Sequence, residues 1–200
     1  MTTPNNKYTK IIKVLEGENN VFDFFSVIFG YRDIGIIFIY LDDDYVFDDN
    51  EIKENKEIVS INELIKKIDK NTNKKYVKKI KYIKDFIDKN YKNYDIVYGF
   101  NGLLFIHKKD KKVEEKIKSL MKNYSNPILS LDGGVDIGKL LNFPKCCIKQ
   151  FGKEKVKSQK TTKLILDKKY INIPFAPCKN SCGDKWLKYY DEVMEKLKKE

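Results

Sequence analysis

Hydrophobic positions along the chain fall into blocks of helical and of strand-like spacing. Tyr8, Ile11, Ile12 and Leu15 recur at intervals of three and four, which predicts a short amphipathic helix over 8–16, closed by Gly17. Val21 to Phe29 is almost wholly apolar and reads as a second helix, ended by Gly30. Ile34 to Leu41 is rich in β-branched and aromatic residues and predicts a buried strand. Asp42, Asp43 and Asp44 then turn the chain outward, with Tyr45-Val46-Phe47 as a short returning strand and a solvated loop over 48–57. Ser60-Ile61-Asn62-Glu63 is a capping box that opens a helix through Leu64, Ile65 and Ile68. Val77, Ile80, Ile83, Phe86 and Ile87 form the stripe of a helix over 74–89, with its lysines mostly on the opposite face. Asp95 to His107 predicts two strands joined at Asn101-Gly102, a strong hairpin dipeptide, and a helix from Val113 to Met121 follows.

Tyr124-Ser125-Asn126-Pro127 breaks this pattern and marks a candidate boundary. The predicted class is α+β. Residues 1–126 make a portion with a small antiparallel sheet and helices, and residues 127–200 a helical portion carrying the cysteines; the two can pack as one unit. In the second portion the spacing predicts a helix near 136–142 and a terminal helix from about Asp184 to Lys198. Trp186, Tyr189, Tyr190 and Val193 run along that last helix as a core stripe, although the lysines between them would also suit a base-stacking surface.

Charge adds a second layer to this picture. The net charge of +11 is unevenly placed: residues 42–63 hold nine acids against Lys53 and Lys56, whereas residues 66–92 hold eleven lysines against Asp69, Asp85 and Asp88. Basic segments suit RNA or another polyanion. Arg32 is the only arginine, so guanidinium forks for reading bases or phosphates are missing and lysine point charges remain. No run approaches the roughly 18–20 apolar residues of a membrane helix, and the first residues lack the basic and apolar regions of a secretory signal. The expected location is cytoplasmic, without membrane contact.

All four cysteines lie in two short segments, Phe143-Pro144-Lys145-Cys146-Cys147 and Pro177-Cys178-Lys179-Asn180-Ser181-Cys182. Four thiols gathered this way in a cytoplasmic chain predict a metal site with Cys146, Cys147, Cys178 and Cys182 as ligands. Thiolates are soft donors that suit zinc, copper(I) or iron–sulfur clusters. Cys178 and Cys182 have the spacing of a zinc knuckle, whereas adjacent Cys146 and Cys147 are expected to diverge. A cluster with several irons accommodates adjacent thiolates more easily, which favours a [4Fe–4S] centre over zinc. A disulfide staple and unligated thiols are the remaining alternatives. Pro144 and Pro177 fix the backbone just before the thiols, and amides at the following helix starts can support thiolate charge.

The cysteine segments resemble, in part, the Cys-Cys and Cys-x-x-Cys cluster motif of heterodisulfide reductase cysteine-rich domains. Here an upstream cysteine is missing, Ile148 follows the pair in place of glycine, and three residues separate Cys178 from Cys182. A wider resemblance covers about 132–190: Gly138-Lys139-Leu140-Leu141-x-Phe143-Pro144-x-Cys146-Cys147, then Phe151, then Pro177-Cys178-x₃-Cys182. This is similar to the signature of an uncharacterised, largely archaeal domain-of-unknown-function family, with Asn142 at a position where that pattern has glycine. The resemblance implies a shared four-cysteine centre and brings no activity with it.

Other motifs weigh less. Gly133 to Lys139 fits G-x-x-x-x-G-K, but Leu140 stands where a P-loop needs Ser or Thr, so a turn with an Asp-capped helix is expected there. Leu164-Ile165-Leu166-Asp167 only superficially echoes a Walker B strand. His107 ends a strand pattern and reads as a structural histidine before a ligand. Three function classes follow. One is an iron–sulfur protein for electron transfer or for sulfur or cluster handling. Another is a basic RNA- or ribosome-binding module stapled by zinc or a disulfide. The third is an accessory subunit, held by a protein partner, in a redox complex.

Overall fold

The computed structural model describes residues 6–39, 59–68, 74–99, 103–123, 131–153 and 177–200. Two helices open it, α1 (Asn6–Leu15) and α2 (Glu18–Ile28), followed by strand β1 (Ile34–Phe38). Next come the two-residue strand β2 (Val59–Ser60), helices α3 (Ile61–Ile68) and α4 (Lys74–Asn90), and strands β3 (Tyr94–Tyr98) and β4 (Leu103–Lys108). Helices α5 (Lys111–Asn123), α6 (Leu131–Leu140), α7 (Lys145–Lys153) and α8 (Asn180–Lys199) complete the described chain. The predicted α+β class with a small antiparallel sheet is what forms. The Asp42–Asp44 turn, the strand at Tyr45–Phe47, the Asn101-Gly102 turn, the boundary at 124–127 and the Leu164–Asp167 run lie outside the described residues.

Local chemistry explains the element ends. Gly17 and Gly30 follow α1 and α2 with φ of 100° and 78°, conformations open to glycine. The capping box forms as its sequence dictates: the Ser60 amide donates to Glu63 Oε2 at 3.1 Å, and the Glu63 amide donates to Ser60 Oγ at 3.3 Å.

The sheet order is β1-β4-β3-β2, and all neighbours are antiparallel. Alternation along the strands splits their side chains between two apolar clusters. Ile37, Ile96, Tyr98, Leu104 and Ile106 join the larger one with residues of α1, α2, α3, α4 and α8. Ile34, Ile36, Leu103 and Phe105 join the smaller one with Val113, Ile117 and Leu120 of α5. The sheet is therefore covered on both faces.

Strand β1 forms one edge of the sheet, and α2 shields it. Asn20 Oδ1 accepts from the Phe38 amide at 2.9 Å, and Asp23 Oδ2 accepts from the Ile36 amide at 3.3 Å. These bonds satisfy edge amides that would otherwise invite another strand. Asn20 Nδ2 also donates to Leu15 O at 2.7 Å, so one buried side chain ties the end of α1 to the sheet edge. Gly35 permits this proximity, because a Cβ there would lie 2.6 Å from Asp23 O. Asp23 in turn pairs with buried Arg32, whose Nε donates to Ser26 Oγ at 2.9 Å. The one arginine of the chain thus supports the sheet edge, beneath the surface.

Helix α8 belongs to the main core. Trp186, Tyr190, Val193 and Leu197 are buried in the same cluster as α1 and α2. Trp186 and Tyr190 stand against Phe22 at centroid distances of 6.3 and 5.1 Å. The aromatic stripe predicted for the terminal helix is therefore core. Among the described residues, no helix is long and apolar enough to cross a membrane.

Candidate metal centre

Two helix starts carry the four cysteines. Helix α6 ends in a left-handed turn: Phe143 N donates to Gly138 O at 2.9 Å and Asn142 N donates to Lys139 O at 3.2 Å. This is the Schellman pattern, with Asn142 at φ 58° as the left-handed residue. Asparagine tolerates that conformation better than most side chains, so it can fill a glycine position here. The turn passes directly into Pro144, whose carbonyl accepts from the amides of Cys147 (2.8 Å) and Ile148 (3.0 Å) to open α7. Cys146 and Cys147 consequently sit in the first turn of α7.

The second pair follows the same logic. Pro177 is buried, Cys178 lies in the bend after it, and the Lys179 carbonyl accepts from Cys182 N at 3.0 Å as α8 begins. That helix starts at Asn180, four residues earlier than its hydrophobic stripe predicts, which places Cys182 in its first turn. The early start matters because it points the last sulfur at the first pair.

All four Sγ atoms lie within 4.8 Å of one another. Cys146 Sγ is 3.4 Å from Cys182 Sγ, Cys147 Sγ is 3.6 Å from Cys178 Sγ, and Cys178 Sγ is 3.8 Å from Cys182 Sγ. None of the four forms a disulfide. The expected divergence of the adjacent pair is overturned: within one helical turn, the side chains of Cys146 and Cys147 swing to a common point. His107 lies outside the group, buried in β4 with Nδ1 2.8 Å from Lys108 O.

Ionisation is unevenly shared among the sulfurs. Hydrogen bonds from Cys182 and then Cys178 hold the Cys146 thiol below its ordinary range. Burial pushes Cys147 well above its ordinary range. Burial, followed by the hydrogen bond with Cys146, pushes Cys182 up to about 11. The Cys178 amide donates to Cys147 Sγ at 3.4 Å, a contact that favours negative charge on that sulfur. Without a metal, negative charge is thus favoured on Cys146 over Cys147 and Cys182. Cys146 is also the exposed member, whereas Cys147 and Cys182 are buried.

Packing holds the two helix starts together. Phe143 stands edge-on to Trp186, with ring centroids 5.5 Å apart. Phe143 touches both apolar clusters and therefore links the cysteine turn to each of them. On the other side α6 and α7 pack closely: a Cβ at Gly134 would meet the Phe151 ring at 2.8 Å. Residues 131–140 are helical throughout, so the turn expected at Gly133-Gly134 does not form and the G-x-x-x-x-G-K match makes no phosphate loop. The glycines serve helix contact. Periodicity alone does not reveal the link between Phe143 and Trp186; only the proline-flanked aromatic beside the cysteine pair hints at it.

Four thiol donors at one point suit a soft metal ion, and the group is compatible with a metal site. Comparison with known protein families, with characterised proteins and with solved structures finds no match to this chain.

Proposed function

We propose that Cys146, Cys147, Cys178 and Cys182 hold a single metal ion in a four-thiolate shell, zinc in the first place, and that the ion acts as a structural staple. The carrying observation is the spacing of the sulfurs. A tetrahedral zinc with Zn–S bonds of about 2.3 Å sets its sulfurs about 3.8 Å apart. Three of the pairs span 3.4 to 3.8 Å, close to that edge, and all lie within 4.8 Å. A cubane cluster binds each thiolate to a different iron, which spreads the sulfurs further than thiolates on one ion. The spacing argument for a cluster rested on the adjacency of Cys146 and Cys147, and their convergence weakens it, which leaves the partial resemblance to the heterodisulfide reductase motif.

Four protein ligands leave no open position for substrate, which fits a structural ion better than a catalytic one. The chain's own part is to bring α7 and the start of α8 to one point, with Phe143 against Trp186 as the outer support. The similarity of the Phe143-Pro144-x-Cys146-Cys147 and Pro177-Cys178-x₃-Cys182 segments to the archaeal family extends the same proposal to its members.

One observation favours an iron centre as the second reading. Cys146 is exposed, and an exposed ligand gives electrons a way to reach a partner. That reading keeps the electron-transfer, cluster-handling and redox-subunit roles. Metal and acid-labile sulfide analysis of protein purified without oxygen separates the two. One zinc per chain without sulfide supports the staple; iron with equimolar sulfide rejects it in favour of the cluster.

A further inference from the structure

A second feature lies away from the cysteines, between α1 and α4. These two helices form an open groove of about 580 Å³ lined by Lys10, Val14, Lys75, Lys78, Lys79 and Tyr82. The lining positions on α4 are spaced three and four apart, so they share one face of that helix. Lys79 is pinned to Glu16 at 2.7 Å. The Lys10 ammonium lies 4.7 Å from the centroid of the Tyr82 ring. Towards the other end of α1, Lys7 lies 5.8 Å from the centroid of Tyr91. Lysines and tyrosine rings therefore alternate along an antiparallel helix pair, and Glu16 at its end is already paired.

We propose that this groove binds a single-stranded nucleic acid, holding its phosphates with Lys7, Lys10 and Lys78, with a base taking the place of the Lys10 ammonium over the Tyr82 ring. Several features select that ligand class. Lysine offers point charge without the bidentate fork of arginine, and the one arginine is buried elsewhere. Point charges in an open groove hold one small phosphate weakly, but they add up along a repeating polyanion. Tyr82 supplies the aromatic surface that sequence-tolerant strand binders place among their basic residues. A membrane surface fits less well. A helix lying on lipid presents large apolar side chains, whereas the large hydrophobics exposed among the described residues are Tyr31, Phe38 and Phe151, none of them on α1 or α4. The inference stands apart from the metal reading, because the groove belongs to α1 and α4 and the cysteines to α7 and the start of α8.

The test is fluorescence anisotropy of a labelled poly-uridine RNA oligonucleotide titrated with the full chain at several salt concentrations. Three phosphate contacts give a log–log salt slope of about −2. The variant K10E/K78E is expected to weaken binding about ten-fold or more and to flatten that slope. K116E/K118E changes net charge equally, on exposed positions of α5 across the sheet, and is expected to bind within about two-fold of the parent. K10R/K78R keeps the charge and is expected to retain affinity, which separates charge reversal from misfolding. Equal losses in K10E/K78E and K116E/K118E would overturn the groove in favour of diffuse attraction. Loss of affinity in K10R/K78R, or no binding by the parent chain near physiological salt, would overturn it outright. Binding to phosphatidylglycerol vesicles that falls in K10E/K78E while RNA affinity is unchanged would assign the groove to lipid.

Discussion

Phe143 and Trp186 meet edge-on, at a centroid distance of 5.5 Å and an interplanar angle of 89°. Phe143 lies just before the proline that opens the first cysteine helix, and Trp186 lies one turn after Cys182 in the second. This contact therefore helps set how far apart the two thiol pairs stand. Phe143→Ala leaves all four sulfurs in place but removes that support. Metal affinity is expected to fall about ten-fold or more, the range seen when outer partners of a metal site are lost. Competition with a chromophoric chelator measures it, and unchanged affinity would mean that the ligands position themselves.

On the proposed metal-staple reading, removing the ion should loosen one part of the molecule. The cysteine cluster joins the first turns of α7 and α8, whereas Leu104, Phe105 and Ile106 of β4 are fully buried between two apolar layers. Chelation is expected to speed hydrogen exchange in the first turns of α7 and α8 and to leave the β4 amides protected. Uniform loss of protection would instead make the ion a folding requirement of the whole chain.

Asn142 tests the turn that leads to the centre. Its φ of 58° lies in the left-handed region, where a β-branched side chain is penalised by about 1–2 kcal/mol. Asn142→Gly is expected to be neutral or slightly stabilising, and Asn142→Val destabilising by that amount, in denaturant unfolding of the metal-bound protein. Equal stability of the two variants would show that the turn relaxes to another conformation.

Asp23 and Arg32 form a buried pair that also covers the sheet edge. Removing one partner strands the other charge, and Asp23→Ala additionally frees the Ile36 amide. Each single substitution, Asp23→Ala or Arg32→Met, is expected to cost about 3–5 kcal/mol, and the double variant clearly less than their sum. Additive losses in a double-mutant cycle would show that the pair is not coupled.

Much of this fold could be read from hydrophobic spacing, because most helices bury one periodic face and the near-continuous apolar runs of α2, β1 and β4 are buried all round. Val77, Ile80, Ile83, Phe86 and Ile87 are all buried as their spacing implies. The capping box at Ser60 and Glu63 was equally legible, since both of its bonds are local. The four cysteines were identifiable as a group for a different reason: thiols are few in this chain and were paired behind prolines. What spacing could not convey was convergence. Whether Cys146 and Cys147 diverge depends on rotamers chosen by a partner thirty-odd residues away, and Gly133-Gly134 reads as a turn although the role of Gly134 is to admit Phe151. Long-range contacts of that kind leave no periodic trace. The same holds for Arg32, whose burial follows from Asp23 and Ser26.

Tyr190 supplies a pH dependence whose sign is fixed by its surroundings. Burial, and then the Glu18 carboxylate that its hydroxyl faces at 3.4 Å, push the phenol up to about 12. A phenol whose folded value lies above its unfolded value of about 10 stabilises the fold fully below pH 10. That stabilisation is lost as pH rises from about 10 through 12, because the unfolded chain releases the proton first. Tyr8 and Tyr76 are raised as well, chiefly by burial, so the parent chain is expected to lose stability steeply on the alkaline side. Tyr190→Phe keeps the ring against Phe22 and removes one ionising group, and its stability is expected to fall less steeply over that range, by up to one proton in slope. Denaturant unfolding at a series of alkaline pH values, with tyrosinate absorbance followed in parallel, measures the difference. Identical slopes for the two proteins would mean that Tyr190 ionises in the folded state as easily as in the unfolded one.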